Sequence, residues 1–152
     1  MLTTYFLTED QGYDKISYTL YDAFQFEYSA TLYKSSKTYG LAVLKFTDSN
    51  ENDLYTVPLA TKNPEIDDPV CNIYSLQKSA YNHMNFSKII SYEKTSYFNF
   101  DVFKNEIDTK SAIYGAMCVD LKGNVIGLVS LTNTLDGSNY CKNITVEKIR
   151  DH

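Results

Sequence analysis

A chain of 152 residues has room for one ordinary domain with a real core, or for two small barrels that share one. Its formal net charge of -5, with Lys and Arg scattered singly, excludes the basic stripe that a nucleic-acid backbone needs, and no apolar run approaches the ~18 residues of a membrane span. Two distant histidines, His83 and His152, and three separated cysteines show no metal-ligand spacing, and no glycine-rich phosphate loop occurs, so neither metal nor cofactor is expected.

In chain order, the opening Met1-Leu-Thr-Thr-Tyr-Phe-Leu7 is too short and too soon charged to act as a secretion signal, which leaves export to any segment outside these residues. Short runs rich in Val, Ile, Tyr, Phe and Thr follow at 31–33, 41–46, 54–59, 70–74, 88–92, 116–120 and 125–131. They alternate or are continuously apolar over strand-like lengths, and polar clusters separate them. The pattern predicts an antiparallel all-β chain. Lys122-Gly-Asn124 has the chemistry of a tight hairpin turn. The acidic run from Asp48 to Asp53 offers carboxylates to calcium, but without the glycine and closing glutamate of a dedicated loop it reads as solvated. A helix is predicted at the end of the chain, over 142–152, with Asn143 as its cap and Ile144 and Lys148 on one stripe.

Fourteen tyrosines and eight phenylalanines, with no tryptophan, give an aromatic bias. Clusters such as Tyr92/Tyr97/Phe98/Phe100 or Tyr13/Tyr18/Tyr21 are candidate recognition surfaces, since tyrosine offers a large amphipathic area with few rotatable bonds. The stronger reading is that they fill half-buried strands. The sequons Asn85-Phe-Ser87 and Asn143-Ile-Thr145 permit glycosylation of Asn85 and Asn143 if the chain is exported.

The run from Asp108 to Ser130, DTKSAIYGAMCVDLKGNVIGLVS, resembles the nucleophile loop and following hairpin of the chymotrypsin/trypsin-like serine proteases, in which Gly-Asp-Ser-Gly-Gly-Pro leads into a strand, a turn and a Val-Gly-Ile-Val-Ser strand. Tyr39-Gly-Leu-Ala-Val-Leu-Lys-Phe46 is similar to that family's Asp-Ile-Ala-Leu-Leu-Lys-Leu strand. Leu54-Tyr-Thr-Val-Pro-Leu-Ala60 with Pro64-Glu-Ile-Asp-Asp-Pro-Val-Cys71 resembles the linker between its barrels and the strand that follows. Val146-Glu-Lys-Ile-Arg-Asp-His152 resembles its closing helix. The resemblance implies a trypsin-like double β-barrel with a reduced first barrel over 1–65, a second barrel over 66–141 and a short C-terminal helix, forming one structural unit.

The same alignment implies loss of the catalytic triad. The histidine position falls on Thr19, in a stretch from Ile16 to Asp22 that holds no histidine, and the aspartate position falls on Gly40. The serine position falls on Tyr114 when the turn glycine Gly123 is aligned, or on Ala112 when Cys118 is aligned. Neither a phenol nor a methyl replaces that serine, because acyl transfer needs a hydroxyl or thiol that a neighbouring base deprotonates near neutral pH. The oxyanion loop is reduced to Gly115-Ala-Met117, where Gly115 still permits an unusual backbone angle. A disulfide between Cys71 and Cys118 is also implied, leaving Cys141 single; three free thiols in a reducing compartment are the open alternative. The resemblance leans toward an extracellular location and toward a non-catalytic module that binds or regulates a protein partner.

Two other readings remain at this stage. Residues 116–130 are also similar to the paired strands that end small-ligand sensor domains of the GAF or Cache type, which would require a long flanking helix. A cysteine hydrolase using Cys118 or Cys141 would require an imidazole that neither has in its vicinity along the chain.

Overall fold

The computed structural model describes residues 1–22, 24–47, 55–76, 82–133 and 139–152. Among these the chain forms ten strands and one α-helix. The strands are β1 (Leu2–Thr4), β2 (Tyr18–Tyr21), β3 (Glu27–Ser36), β4 (Leu41–Phe46), β5 (Pro69–Tyr74), β6 (His83–Lys94), β7 (Asp101–Glu106), β8 (Met117–Val119), β9 (Val125–Asn133) and β10 (Tyr140–Thr145), and α1 is Val146–Asp151. The first four make an open antiparallel sheet in the order β1-β4-β3-β2, and the last six close into a barrel in the order β10-β7-β6-β5-β8-β9.

The barrel interior is layered by the two-residue period of its strands. Val70, Asn72 and Tyr74 follow one another on the inner face of β5, and Phe103 and Asn105 do so on β7. The first layer is Val70, Ile89, Phe103, Cys118, Ile126 and Val146. The far layer is Tyr74, Ile107, Ile113, Val129 and Cys141. Between them lies a polar layer of three fully buried asparagines, Asn72, Asn105 and Asn143. On β6 a register shift between Ile89 and Ser91 lets Ile89 face Asn105 and Tyr92 face Phe103, so two residues three apart both point inward. That bulge hides the strand's length from a strict alternation search, which finds only 88–92 of the twelve residues.

The open sheet has its apolar contacts with the barrel. Leu41, with Leu2 and Tyr39 beside it, packs on Phe98, Val102, Leu128, Ile144 and Ile149. The tight turn into β4 allows this approach. Gly40 sits at φ +68°, and a Cβ there would come 2.5 Å from the Phe98 ring.

Several expectations are corrected. The helix begins at Val146, not at 142, and its cap is Thr145, whose side chain accepts from the Lys148 amide; Asn143 instead belongs to β10. Leu54 lies outside the described residues, and 55–60 form no strand beyond one parallel bridge from Leu59 to Val125. Cys71 stands opposite Val119 and Cys118 opposite Asn72. Partners directly opposite share a face, so the two thiols lie on opposite sides of the barrel wall and cannot be bridged; all three cysteines are free and buried. A closed barrel with a six-residue helix also overturns the sensor-domain alternative.

Candidate functional site

Where the open sheet meets the barrel, a cleft of about 1080 Å³ is lined by Leu2 and Phe46 from the sheet, Tyr55, Val57 and Leu59 from the linker, Ile73 to Ser75 from β5, and the loop from Ala112 to Met117. Val125 and Leu128 of β9 form its floor. Among the described residues no imidazole, carboxylate or thiol lines it.

The loop that enters the cleft is held by its own hydrogen bonds. The Ala116 amide donates to the Ile113 carbonyl at 3.0 Å, closing a turn in which Gly115 takes φ +82°. The Gly115 amide donates to the Val129 carbonyl at 2.8 Å, and the Val129 amide returns to the Ala116 carbonyl at 2.9 Å. Thr3 of β1 presses against this turn, with its hydroxyl 2.9 Å from where a Gly115 Cβ would stand. The loop therefore needs glycine at 115.

Of the positions that the resemblance aligns with the triad, Ala112 and Tyr114 both line the cleft, and Tyr114 is 40% exposed. Gly40 is in the sheet–barrel contact, its carbonyl accepting from the Tyr5 amide at 2.8 Å. Thr19 is exposed on β2 opposite Ser29. Neither Thr19 nor Gly40 lines the cleft.

His83, at the start of β6, stacks face to face on Tyr74 with ring centroids 5.3 Å apart. The Tyr74 phenol in turn donates to the Asp108 carboxylate. Burial first, and then that carboxylate, push Tyr74 up to about 12. The phenol is thereby kept protonated, the opposite of what a nucleophile requires. Nothing along the chain signals this aromatic and acidic trio, because its members are brought together by the β5–β6 pairing and the loop after β7. His152 packs edge-on against Tyr39, and burial lowers its pKa.

The other sequence candidates fall as follows. Asn85 is buried and its amide donates to the Glu106 carbonyl at 2.8 Å. Asn143 is fully buried, so neither sequon offers a free amide for a glycan in the folded chain. Burial pushes the Cys118 thiol well up and the Cys141 thiol up to about 12, and both lie in the barrel interior. The first tyrosine cluster divides: Tyr92 and Phe98 are packing residues, while Tyr97 is 63% exposed. The acidic run at 48–53 lies outside the described residues. Among the described residues no group of three His, Cys, Asp or Glu side chains could hold a metal, and no helix is long and apolar enough to cross a membrane.

No family model matches the sequence, and no curated protein matches it either. Solved structures do. The Rv3671c protease of M. tuberculosis in an inactive form superposes with a TM-score of 0.75 at 15% identity, covering 99% of this chain and 75% of that one. The MamO protease domain of Magnetospirillum magneticum in its apo form gives 0.70 at 13% identity, covering 99% and 80%. Deg5 gives 0.71 at 19% identity, covering 99% and 74%. The chain has the trypsin-like protease fold.

Proposed function

We propose that this chain is a non-catalytic module of trypsin-like fold whose cleft binds a segment of a protein partner. The lining of the nucleophile loop carries the reading. Where the resemblance asks for serine stand Ala112 and Tyr114, and the surrounding wall of Ile73, Met117, Val125 and Leu128 is apolar. Hydrolysis needs a nucleophile, a base to take its proton and donors for the oxyanion. Among the described residues no imidazole, carboxylate or thiol lines the cleft. An apolar concavity of this size suits side chains taken out of water, which favours binding over chemistry.

Incubation with a fluorophosphonate probe is expected to leave the intact mass unchanged, with hydrolysis of activated esters at background. A covalent adduct on any hydroxyl overturns the non-catalytic reading. In the same preparation, Met117→Glu should abolish the fluorescence enhancement of an apolar dye while leaving circular dichroism unchanged; equal enhancement in both proteins would mean that the cleft is not the apolar binding surface.

A further inference from the structure

The first sheet is open, and its longest strand is only partly paired. β2 covers β3 from Glu27 to Ala30 and stops there. Beyond it, residues 31–36 of β3 pair with β4 on one side and, among the described residues, with nothing on the other.

The direction of the backbone groups can be read from the register. The Thr47 amide donates to the Ser29 carbonyl, which turns Ser29 toward the β4 side and Tyr28 and Ala30 toward β2; Leu32 continues the β2 side by alternation. The Leu44 amide donates to the Met1 carbonyl, so Leu44 and, two residues away, Ala42 face β1. Their partners Leu32 and Ser35 therefore point their amides and carbonyls outward. If β2 ran on, residues 15–17 would cover 31–33, but those residues form no strand.

The edge has a chemical character of its own. Leu32 is 41% and Tyr33 70% exposed. The pairs Thr31 with Lys45 and Lys34 with Val43 put Lys34 and Lys45 on one face, and Lys37 follows at the strand's end. Lys34 at present donates to the His152 carbonyl. This is a basic patch on a chain of net charge -5. A second copy pairing antiparallel about the middle of the edge would set each Lys34 across from Tyr33 of the other copy, with the two lysines one position apart, and like charges brought close destabilise a sheet. A strand carrying carboxylates meets the opposite field.

We infer that the open edge of β3 over residues 31–36 accepts an extended acidic segment of a partner protein as a fifth strand of the first sheet. Main-chain hydrogen bonds to Leu32 and Ser35 supply the pairing, and Lys34 and Lys45 select the charge. The inference goes beyond the cleft reading and does not depend on it.

The probe is a fluorescein-labelled peptide of about eight residues alternating valine or threonine with glutamate, titrated by anisotropy. Saturable binding is expected, weakened about ten-fold or more by Lys34→Glu with Lys45→Glu, and similarly when lysine replaces glutamate in the peptide. Amide exchange at Leu32 and Ser35 should be fast in the free protein and slow in the complex. Absence of saturable binding overturns the inference. So does protection of those amides in the free protein, whether at all concentrations, which would mean that residues 15–17 close the edge, or only with self-association, which would mean a second copy does. Met117→Glu should bind the peptide as the parent does, so failure of the cleft reading and failure of this one are separable.

Discussion

The barrel and the open sheet solve the same problem in different ways. The barrel closes on itself, so every strand from β5 to β10 has two neighbours, and its interior holds apolar clusters that draw on no sheet residue. The sheet leaves strands open at both ends of its order, and its apolar side chains appear in a cluster that the barrel and helix mostly supply. One half is held by closure and the other by attachment. The half with a self-contained core has little freedom to change, whereas the attached half can lose strands while its contact with Phe98, Leu128 and Ile149 is kept. That asymmetry also explains why none of the runs that resemble the proteases falls in the first 38 residues.

The comparison breaks most severely at the centre of the barrel. The side-chain amides of Asn105, Asn72 and Asn143 form a closed ring: Asn105 Nδ2 donates to Asn72 Oδ1 at 2.5 Å, Asn72 Nδ2 to Asn143 Oδ1 at 3.4 Å, and Asn143 Nδ2 to Asn105 Oδ1 at 2.8 Å. Ser87 and Cys141 complete it, the latter donating to Asn105 Oδ1 at 3.2 Å. Away from water each partner left unpaired costs about 1–3 kcal/mol. Asn105→Ala removes the ring's shared member and leaves a cavity, so a loss of roughly 3–5 kcal/mol is expected in denaturant unfolding followed by circular dichroism. A loss below about 1 kcal/mol would mean that water or a rearranged amide replaces the ring.

A smaller effect tests the attachment. Gly40→Ala forces a side chain into the left-handed region and against Phe98, which should cost roughly 2–4 kcal/mol. If the sheet depends on the barrel, the variant shows one cooperative transition at lower denaturant. Two separated transitions would show the halves folding independently. In a double-mutant cycle with Phe98→Ala the two losses should fall short of additivity by about 1 kcal/mol, because removing the ring makes room for the methyl. Strict additivity would mean that backbone strain alone accounts for the cost.

How much of this was legible beforehand follows from the same physics. Uninterrupted alternation marked β4, β5 and β9, and Lys122-Gly-Asn124 marked the turn between β8 and β9. The strands that were missed are β1, β2, β7 and β10, which are short or carry polar side chains inward. Asn143 looked like a helix cap because asparagine is common there, and only the register of β10 against β7 shows it facing Phe103 in a polar layer. Asn85 looked like a glycan acceptor for a similar reason. Part of the cleft was legible, in Ala112 and Tyr114, which both line it. Its apolar walls were not, since Leu2, Tyr55 and Ile73 are far apart in sequence and meet only when the sheet is laid on the barrel.

The smallest expected effect comes from Tyr92, which fastens the linker to the barrel. Its phenol donates to the Pro64 carbonyl and its ring packs on Phe103 at 6.2 Å. Burial first, and then the charges of Asp68, Glu147 and Glu65, raise its pKa from the ordinary 10.0 to about 12. Between those values the unfolded chain releases a proton that the folded chain keeps. The stability this group contributes is therefore fully present below pH 10 and is lost as pH rises through 12. Tyr92→Phe removes one hydrogen bond and should cost about 1 kcal/mol at neutral pH. It should also flatten the alkaline fall, so that parent and variant approach each other in urea midpoint as the window is crossed. Parallel curves for the two proteins would mean that this phenol titrates alike in both states, and that the linker contact does not exclude water from it.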